Sequence, residues 1–232
     1  QMLTKIEGGM GLLMGGTAGV QAAHVVILGA GTVGVSAAKV AMGMGARVTI
    51  LDSNLFRLRQ IDDLFGGRIQ TLASNAFNIA AATKDADLLV GSVLIPGALT
   101  PKLVTEAMVK TMKPGSAIVD VAIDQGGCIE PTGKHGATYH DKPTFKYPVN
   151  GGEVVCYSVG NMPGAVARTS TFTLTNATMP YMVDLANKGW KKACQDDKAL
   201  ARGINTYDGK VYFKGVSDAL GYELHCLSLI HI

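Results

Sequence analysis

The chain is 232 residues long, 47% of its residues are hydrophobic and 17% are charged, and its net charge at pH 7 is +3. A chain of this size and composition can bury a large core, which argues against disorder, and its 29 glycines have no triplet period, which excludes a collagen-like fibre. Lysine and arginine alternate with acidic residues and no apolar stretch reaches the roughly 20 residues that span a bilayer, so we expect neither a nucleic-acid nor a membrane partner. A small-molecule partner is the expectation.

The first predicted element is a buried strand that ends in glycines. Residues 24–28 read His-Val-Val-Ile-Leu, a β-branched run typical of a parallel strand buried on both faces. Residues 35–42 are rich in small side chains and predict a helix that ends at Gly43 and Gly45, and residues 47–52 predict a second strand. These segments form one βαβ unit.

The alternation of helix and strand continues as far as residue 120. The sequence predicts a helix capped by Asn54, a strand at 68–72, a helix at 76–82, a strand at 86–90, a helix at 103–112 and a strand at 116–120. Because strands that alternate with helices form parallel sheets, we predict an α/β fold with a Rossmann-type doubly wound parallel sheet.

The pattern changes twice in the second half of the chain. Between Cys128 and Gly152, prolines and glycines predict a long irregular loop or hairpin, after which a strand resumes at 154–158. From residue 169 the composition becomes helical, with Gly189 as a plausible helix end. We therefore predict a Rossmann domain over residues 1–168, with residues 1–20 as a lead-in, and C-terminal helices over residues 169–232 that belong to an incomplete second domain.

A glycine-rich turn follows the first strand at residues 29–34, which read Gly-Ala-Gly-Thr-Val-Gly. In a dinucleotide site Gly29 permits the tight turn, Gly31 lets the backbone approach the pyrophosphate, and Gly34 lets helix and strand pack closely. Asp52 ends the second strand, where a carboxylate accepts hydrogen bonds from the adenosine ribose and repels the 2′-phosphate of NADP. The alternatives are a purely structural turn and an Asp52 that is a solvated strand end or a cap. The strand, turn, helix and strand context favours an NAD(H)-binding domain.

Three further side chains at strand ends are candidate site residues. Arg57 is placed either to touch the adenosine side of a cofactor or to be a solvated surface charge. Ser74 either hydrogen-bonds near the adenine or caps the following helix. Asp124 lies among small and apolar residues after the fifth strand, where open α/β sheets bind ligands. A buried acid there would position a substrate amine or influence proton transfer; alternatively, Asp124 braces its loop by hydrogen bonds to the backbone.

Neither the cysteines nor the histidines predict a metal site. The four cysteines are too widely spaced for one, and we expect reduced thiols in a cytosolic protein. Cys128 lacks a histidine in an obvious partner motif, so we interpret it as a packing residue and not as a nucleophile. The spacing of His135 and His140 matches no metal signature, and we interpret both as solvated loop histidines.

Several longer runs, together with the glycine turn and Asp52, resemble those of alanine dehydrogenases. These runs are Gly15-Gly16, 112–115, 122–127, 161–164, 175–181 and Gly189-Trp190. The resemblance to the alanine dehydrogenase/transhydrogenase family implies NAD as the cofactor and the reversible oxidative deamination of L-alanine to pyruvate and ammonium by hydride transfer. It also implies a homo-oligomer, commonly a hexamer. Residues 131–136 and the tail from Cys226 depart from the family pattern.

The same resemblance implies the site residues. Asp124 would face the substrate as a catalytic residue and would also contact the cofactor. The implied NAD contacts are Thr32, Val33, Asp52, Arg57, Ser74, Val93, Leu94, Val121, Ala122, Ile123, Asp124, Val159, Gly160, Asn161 and Met162.

The resemblance further implies that the substrate-binding Arg and Lys and the catalytic His of the family lie upstream of the glycine turn. Only 28 residues precede Gly29 here. We therefore expect a C-terminal portion that supplies the cofactor half of the enzyme and does not turn over alanine alone. Two alternatives stay open. One is the NAD(H)-binding subunit of a transhydrogenase, against which residues 175–181 argue, and the other is a non-catalytic NAD-binding fragment.

Overall fold

The computed structural model describes residues 1–93 and 99–226, and the chain divides into two units. The first unit ends at Asn161 and the second begins at Met162. The domain boundary predicted from the sequence, between residues 168 and 169, stays a prediction.

The first unit is built on a seven-stranded sheet in which the strands have the order β3-β2-β1-β4-β5-β7-β6. Every neighbouring pair is parallel except β6 and β7, which are antiparallel. The order of the strands reverses between β1 and β4, and in such sheets the crevice beyond the carboxyl ends of the strands at this point binds ligands. The predicted Rossmann-type doubly wound sheet is confirmed. The strands are β1 (His24–Leu28), β2 (Arg47–Asp52), β3 (Gln70–Ala73), β4 (Leu88–Gly91), β5 (Ala117–Asp120), β6 (Thr144–Val149) and β7 (Gly152–Tyr157).

Helices cover both faces of this sheet. Because side chains alternate along a buried strand, neighbouring residues enter different cores. Ile27 and Ile50 lie in the core that contains the buried residues of α1 and α2, whereas Leu28 and Leu89 lie in the core that contains those of α3 and α4. The helices are α1 (Thr32–Gly43), α2 (Leu55–Phe65), α3 (Ala76–Asp85), α4 (Glu106–Val109) and α5 (Glu130–His135), with 3-10 turns at Lys5–Glu7 and Val121–Gln125.

Some local predictions need correction. The helix predicted at 103–112 is the four-residue α4. The predicted loop or hairpin after Cys128 contains the β6–β7 hairpin and also α5, which the sequence analysis missed because Pro131 was interpreted as a breaker. Pro131 lies in the first turn of α5, where a backbone N–H is not needed by the helix.

The structure confirms one predicted helix cap and contradicts another. Asn54 caps α2 as predicted, because its Oδ1 accepts a hydrogen bond from Arg57 N at 3.1 Å. For Ser74, the alternative of a helix cap is wrong, because the N-cap residue of α3 is Asn75, whose Oδ1 accepts from Asn78 N at 2.8 Å. Asparagine and serine are both favourable N-cap residues, because their side chains accept a hydrogen bond from the first turn of the helix. Helix α3 begins at Ala76, so the residue in the N-cap position is Asn75 and not Ser74.

The second unit begins with a 3-10 turn, Met162–Val166, followed by a long helix. That helix is α6 (Ala167–Asp196), and Gly189 breaks it with φ 71° and ψ 157°. The remaining elements are α7 (Lys198–Ala201), β8 (Thr206–Tyr207), β9 (Lys210–Val211) and α8 (Lys214–Leu220). Among the described residues, no helix is long and apolar enough to cross a membrane.

Candidate functional site

The glycine-rich turn joins β1 to α1 at the carboxyl edge of the sheet. Gly29 has a φ of 96°, and a Cβ added to it would lie 2.9 Å from the backbone oxygen of Ser92. A Cβ at Gly34 would overlap the backbone oxygen of Gly29. By contrast, no heavy atom of the described residues comes within 4 Å of a Cβ added at Gly31. The fold therefore requires glycine at residues 29 and 34, whereas the absence of a side chain at Gly31 leaves open space.

The first turn of α1 is exposed to solvent at this open space. Gly31, Thr32 and Val33 are exposed, and Gly31 is the N-cap residue, which has no side chain to cap the helix. The first N–H groups of an α-helix have no acceptor within the helix, and the positive end of the helix dipole adds to their attraction for anions. This turn therefore offers backbone donors to a phosphate group.

Asp52 and Arg57 hold the same residue of the glycine turn from opposite sides. Asp52 Oδ2 accepts from Ala30 N at 2.8 Å, and Asp52 Oδ1 accepts from Asn54 N at 2.8 Å. Arg57 Nε donates to Ala30 O at 2.8 Å. Asp52 is nevertheless half-buried and not fully enclosed, and a carboxylate has about four acceptor positions, so it can accept further hydrogen bonds from a ligand. Asp52 is thus more than a solvated strand end, and Arg57 is more than a solvated charge.

Ser74 and Val93 lie beside this turn. Ser74 N donates to Asp52 O at 2.9 Å, and Val93 Cγ2 is 3.2 Å from a Cβ added at Gly29. The sequence analysis missed Ser92, whose buried hydroxyl lies 2.8 Å from Leu28 O and 3.1 Å from Gly29 O. Leu94, an implied NAD contact, lies outside the described residues.

The chain after β5 forms the Val121–Gln125 turn, where one prediction was wrong. Asp124 is exposed, although the sequence predicted a buried acid, because it is the position of this short turn that points away from the core. Val121, Ala122 and Ile123 are buried or half-buried, and Val121 and Ala122 pack in the two cores of the sheet.

Asp124 connects this turn to the residues after β7. Its Oδ2 accepts from Asn161 N at 3.4 Å, and its Oδ1 would lie 3.2 Å from a Cβ added at Gly160. Asn161 has a φ of 54° and follows the buried Val159. The loop-bracing interpretation therefore holds for one long hydrogen bond, while the exposed carboxylate stays accessible to a ligand. Met162, the last implied NAD contact, belongs to the second unit.

Asp120 is the buried acid of this region, and the sequence analysis missed it. Its exposure is 0%, and it accepts hydrogen bonds from backbone N–H groups and from the Thr132 hydroxyl. Within residues 1–93 and 99–226 no lysine, arginine or histidine forms an ion pair with it. One signal in the sequence was available: Asp120 ends the fifth strand as Asp52 ends the second.

The structure supports a packing role for Cys128, but it places His135 at the end of α5 and not in a loop. Burial, and then the negative charge of Asp120, raise the pKa of the Cys128 thiol far above its usual range, so it stays protonated and is a poor nucleophile. Burial also raises the pKa of Cys156 to about 12. His135 stacks on Phe145 with ring centroids 3.7 Å apart, and His140 is exposed. The described part of the chain contains no group of three or more His, Cys, Asp or Glu side chains suited to a metal ion.

Curated relatives share most of this sequence. Alanine dehydrogenase from Bilophila wadsworthia (strain 3_1_6) is 99% identical over 226 residues, which cover 97% of this chain and 60% of that protein. Alanine dehydrogenase from Methanococcus maripaludis is 58% identical over 220 residues, which cover 94% of this chain and 57% of that protein. The chain thus spans about 60% of the length of these relatives.

Solved structures are similar as well. An L-alanine dehydrogenase superposes with a TM-score of 0.85 at 47% identity, covering 95% of this chain and 59% of that one. A transhydrogenase from Sinorhizobium meliloti superposes with a TM-score of 0.61 at 28% identity, covering 78% of this chain and 49% of that one. The family model described as alanine dehydrogenase/PNT, C-terminal domain, matches residues 1–214. The chain belongs to this family of alanine dehydrogenase/PNT C-terminal domains.

Proposed function

We propose that the chain binds NAD(H) at the carboxyl edge of its sheet and supplies the cofactor half of an alanine dehydrogenase. The observation that carries this proposal is the combination of a turn that is open at Gly31 with a carboxylate, Asp52, at the end of the neighbouring strand. Family membership and the 99% identical alanine dehydrogenase support the same reaction, the reversible conversion of L-alanine to pyruvate and ammonium.

The residues at this edge suit the parts of a dinucleotide. The exposed N–H groups of the first turn of α1, at Thr32 and Val33, would hold the pyrophosphate. Asp52 would accept hydrogen bonds from the adenosine ribose, with Arg57 and Ser74 on the adenosine side. The remaining proposed contacts follow β4, β5 and β7 in the sequence: Val93, Leu94, Val121, Ala122, Ile123, Asp124, Val159, Gly160, Asn161 and Met162.

Asp124 is the proposed catalytic residue. When NAD is bound, its nicotinamide ring supplies the hydride acceptor for the reaction. The exposed carboxylate of Asp124 would accept a hydrogen bond from the substrate amine and hold it beside the cofactor. The substrates, the homo-oligomeric state and a cytoplasmic location are parts of this proposal that concern a protein of the relatives' full length.

Titration of the chain with NADH and NADPH by calorimetry tests the cofactor proposal. We expect NADH to bind more tightly, because the Asp52 carboxylate repels a 2′-phosphate at the adenosine ribose. Asp52→Asn should weaken NADH binding and reduce the preference for NADH over NADPH. Asp62→Asn, which makes the same charge change on the exposed side of α2, is the matched control and should do neither. Equal affinity of the unaltered chain for the two nucleotides contradicts the role given to Asp52.

The similarity to a transhydrogenase at 28% identity supports a second candidate, an NAD(H)-binding subunit that passes hydride to another nucleotide. The two candidates differ in what receives or supplies the hydride. The 99% identical Bilophila wadsworthia protein is suited to the test, because its length allows a complete assay. NAD reduction that depends on L-alanine and falls in Asp124→Asn supports the dehydrogenase. Hydride transfer from NADH to an NADP analogue without alanine supports the alternative.

A further inference from the structure

Asp120 carries a fully buried carboxylate that accepts hydrogen bonds from three backbone N–H groups and from two side chains. Its Oδ1 accepts from Ala122 N at 3.2 Å and from Cys128 N at 3.3 Å. Its Oδ2 accepts from Ile129 N at 3.2 Å and from the Thr132 hydroxyl at 2.5 Å, and the same hydroxyl lies 2.8 Å from Ile129 O in the loop. The Cys128 thiol, 3.7 Å from Oδ1, is a fifth donor, and an ionised carboxylate can only accept hydrogen bonds. Burial of such a group is costly unless these donors stay in place.

Two glycines give this carboxylate its space. Gly127 has a φ of 75°, and a Cβ added to it would lie 2.7 Å from Asp120 Oδ2. A Cβ added at Gly91, on the neighbouring strand β4, would overlap Cys128 Sγ and would lie 3.2 Å from Asp120 Oδ1. The backbone therefore approaches the carboxylate closely from both the loop and strand β4, and larger residues at these two positions would displace it.

The donors to Asp120 come from both ends of the loop that carries Asp124. Ala122 lies two residues before Asp124, and Cys128 and Ile129 lie four and five residues after it. One buried acid at the end of β5 thus fixes where the loop begins and where it returns. Asp124 lies between these points and has one long hydrogen bond of its own, to Asn161 N at 3.4 Å.

We propose that Asp120, with Thr132 as its hydroxyl donor, is a positioning residue that fixes the loop at residues 121–129 and thereby presents Asp124 to bound NAD(H) and substrate. This inference rests on the proposed function, because the loop presents Asp124 to the same cofactor and substrate. Asp120 does not touch the ligand in this scheme. It acts through the backbone of Ala122 and Cys128, and α5 contributes because Thr132 holds the second carboxylate oxygen.

Thr132→Val is the informative substitution, and Thr132→Ser is its matched control. Valine has nearly the shape of threonine but lacks the hydroxyl, whereas serine keeps the hydroxyl and loses a methyl group. Asp120→Asn is less suitable because its NH2 group would meet backbone N–H donors, and the chain would be at risk of failing to fold.

The first measurement uses two buried thiols of the chain as reporters. Cys128 lies in the loop and Cys156 lies on β7, and both have 0% exposure. Global unfolding exposes both thiols, whereas loosening of the loop exposes Cys128 alone. We expect Thr132→Val to raise the rate of Cys128 alkylation about tenfold relative to that of Cys156, and Thr132→Ser to restore the ratio of the unaltered chain. Peptide mapping by mass spectrometry measures each site separately. Equal acceleration at both thiols overturns the proposal.

The second measurement is the affinity for NADH of the same three proteins. We expect Thr132→Val to weaken NADH binding about tenfold, which is about what one lost hydrogen bond costs, and Thr132→Ser to bind as the unaltered chain does. If the unaltered chain binds NADH and Thr132→Val binds it equally well, the positioning role is wrong while the proposed function stands. If the unaltered chain does not bind NADH, the proposed function fails, and the positioning role toward NAD(H) fails with it.

Discussion

The two edges of the parallel sheet satisfy their charged side chains in opposite ways. At the carboxyl edge, Asp52 and Asp120 accept hydrogen bonds mainly from backbone N–H groups of the loops that follow the strands. At the amino edge, charged side chains pair with one another. The first arrangement orders loops and leaves part of the edge accessible, whereas the second links residues at the amino ends of neighbouring strands through partly exposed ion pairs.

The amino edge is a compact cluster around His24, the first residue of β1. His24 Nδ1 lies 2.8 Å from Asp85 Oδ2, and Arg47 also contacts that oxygen, at 2.9 Å. Lys113 Nζ lies 2.9 Å from Asp87 Oδ1, and the other carboxylate oxygen of Asp87 accepts from His24 N at 2.7 Å. Each charge here has a partner within the cluster. The contrast agrees with the proposal that the carboxyl edge binds the cofactor, whereas the ion pairs of the amino edge contribute to stability.

The largest effect should come from Gly34→Ala at the carboxyl edge, with Gly31→Ala as its matched control. The Cβ at residue 34 would overlap the backbone oxygen of Gly29, so we expect a loss of about 3 kcal/mol in the free energy of unfolding. Gly31 has a φ of −72° and open space around it, so Gly31→Ala should cost less than about 1 kcal/mol but weaken NADH binding at least about tenfold.

Thermal unfolding and calorimetric titration of both glycine variants provide the measurements. A Gly31→Ala protein that is stable and binds NADH as tightly as the unaltered chain contradicts the assignment of the open space to the cofactor.

A pair of lysine variants compares the edges directly. Lys113→Met removes the cation beside the nearly buried Asp87, and we expect a loss of roughly 1–2 kcal/mol in stability with unchanged NADH affinity. Lys102 donates from its ammonium to the carbonyl oxygens of Gly126 and Gly127, which end the Asp124 loop. Lys102→Met should therefore weaken NADH binding with little change in stability. Urea unfolding and NADH titration distinguish the two, and an exchange of these effects contradicts the division between the edges.

The smallest expected effect is a dependence of stability on pH that arises at the amino edge. Burial, and then the positive charge of Arg47, lower the pKa of His24 below its ordinary value of 6.5, and the attraction of Asp85 does not outweigh them. The unfolded chain then binds the proton more readily than the folded one, so the free energy of unfolding should fall as the pH drops below 6.5.

His24→Gln should reduce this slope, measured by urea unfolding between about pH 7.5 and about pH 5.5. His140→Gln changes an exposed histidine and should leave the slope as it is. If the His24→Gln protein keeps the full dependence of unfolding free energy on pH, His24 is not the source of that dependence.

The fold was predictable because its buried strands are short, apolar and separated by glycine or by helical segments. His24–Leu28 and Arg47–Asp52 were predicted at the bounds that the structure shows. Strands are harder to predict where apolar and polar residues do not alternate clearly. Strand β6 alternates poorly and contains Pro148, so its place beside β7 depends on pairing across the hairpin, which one segment alone does not specify.

The site was predictable in outline, since strand ends and glycines locate it, but burial was not. Asp120 and Asp124 lie in the same run of small residues, and sequence alone does not say which carboxylate faces inward. In the structure Asp120 is buried at the end of β5, whereas Asp124 is exposed in the 3-10 turn that follows. The amino-edge cluster was also missed, because His24, Asp85 and Lys113 are far apart in sequence and meet only when the sheet forms.

The antiparallel strand β6 also limits what can attach to the sheet. It is one of the two outermost strands, and an outermost strand presents unpaired backbone groups to which a strand of another molecule can bind. Pro148 has no N–H to offer such a strand, and Lys146 carries a charge at the same border, where it lies 3.5 Å from Glu153. Pro148 therefore removes one backbone donor from this outermost strand, which disfavours pairing with a strand of another molecule.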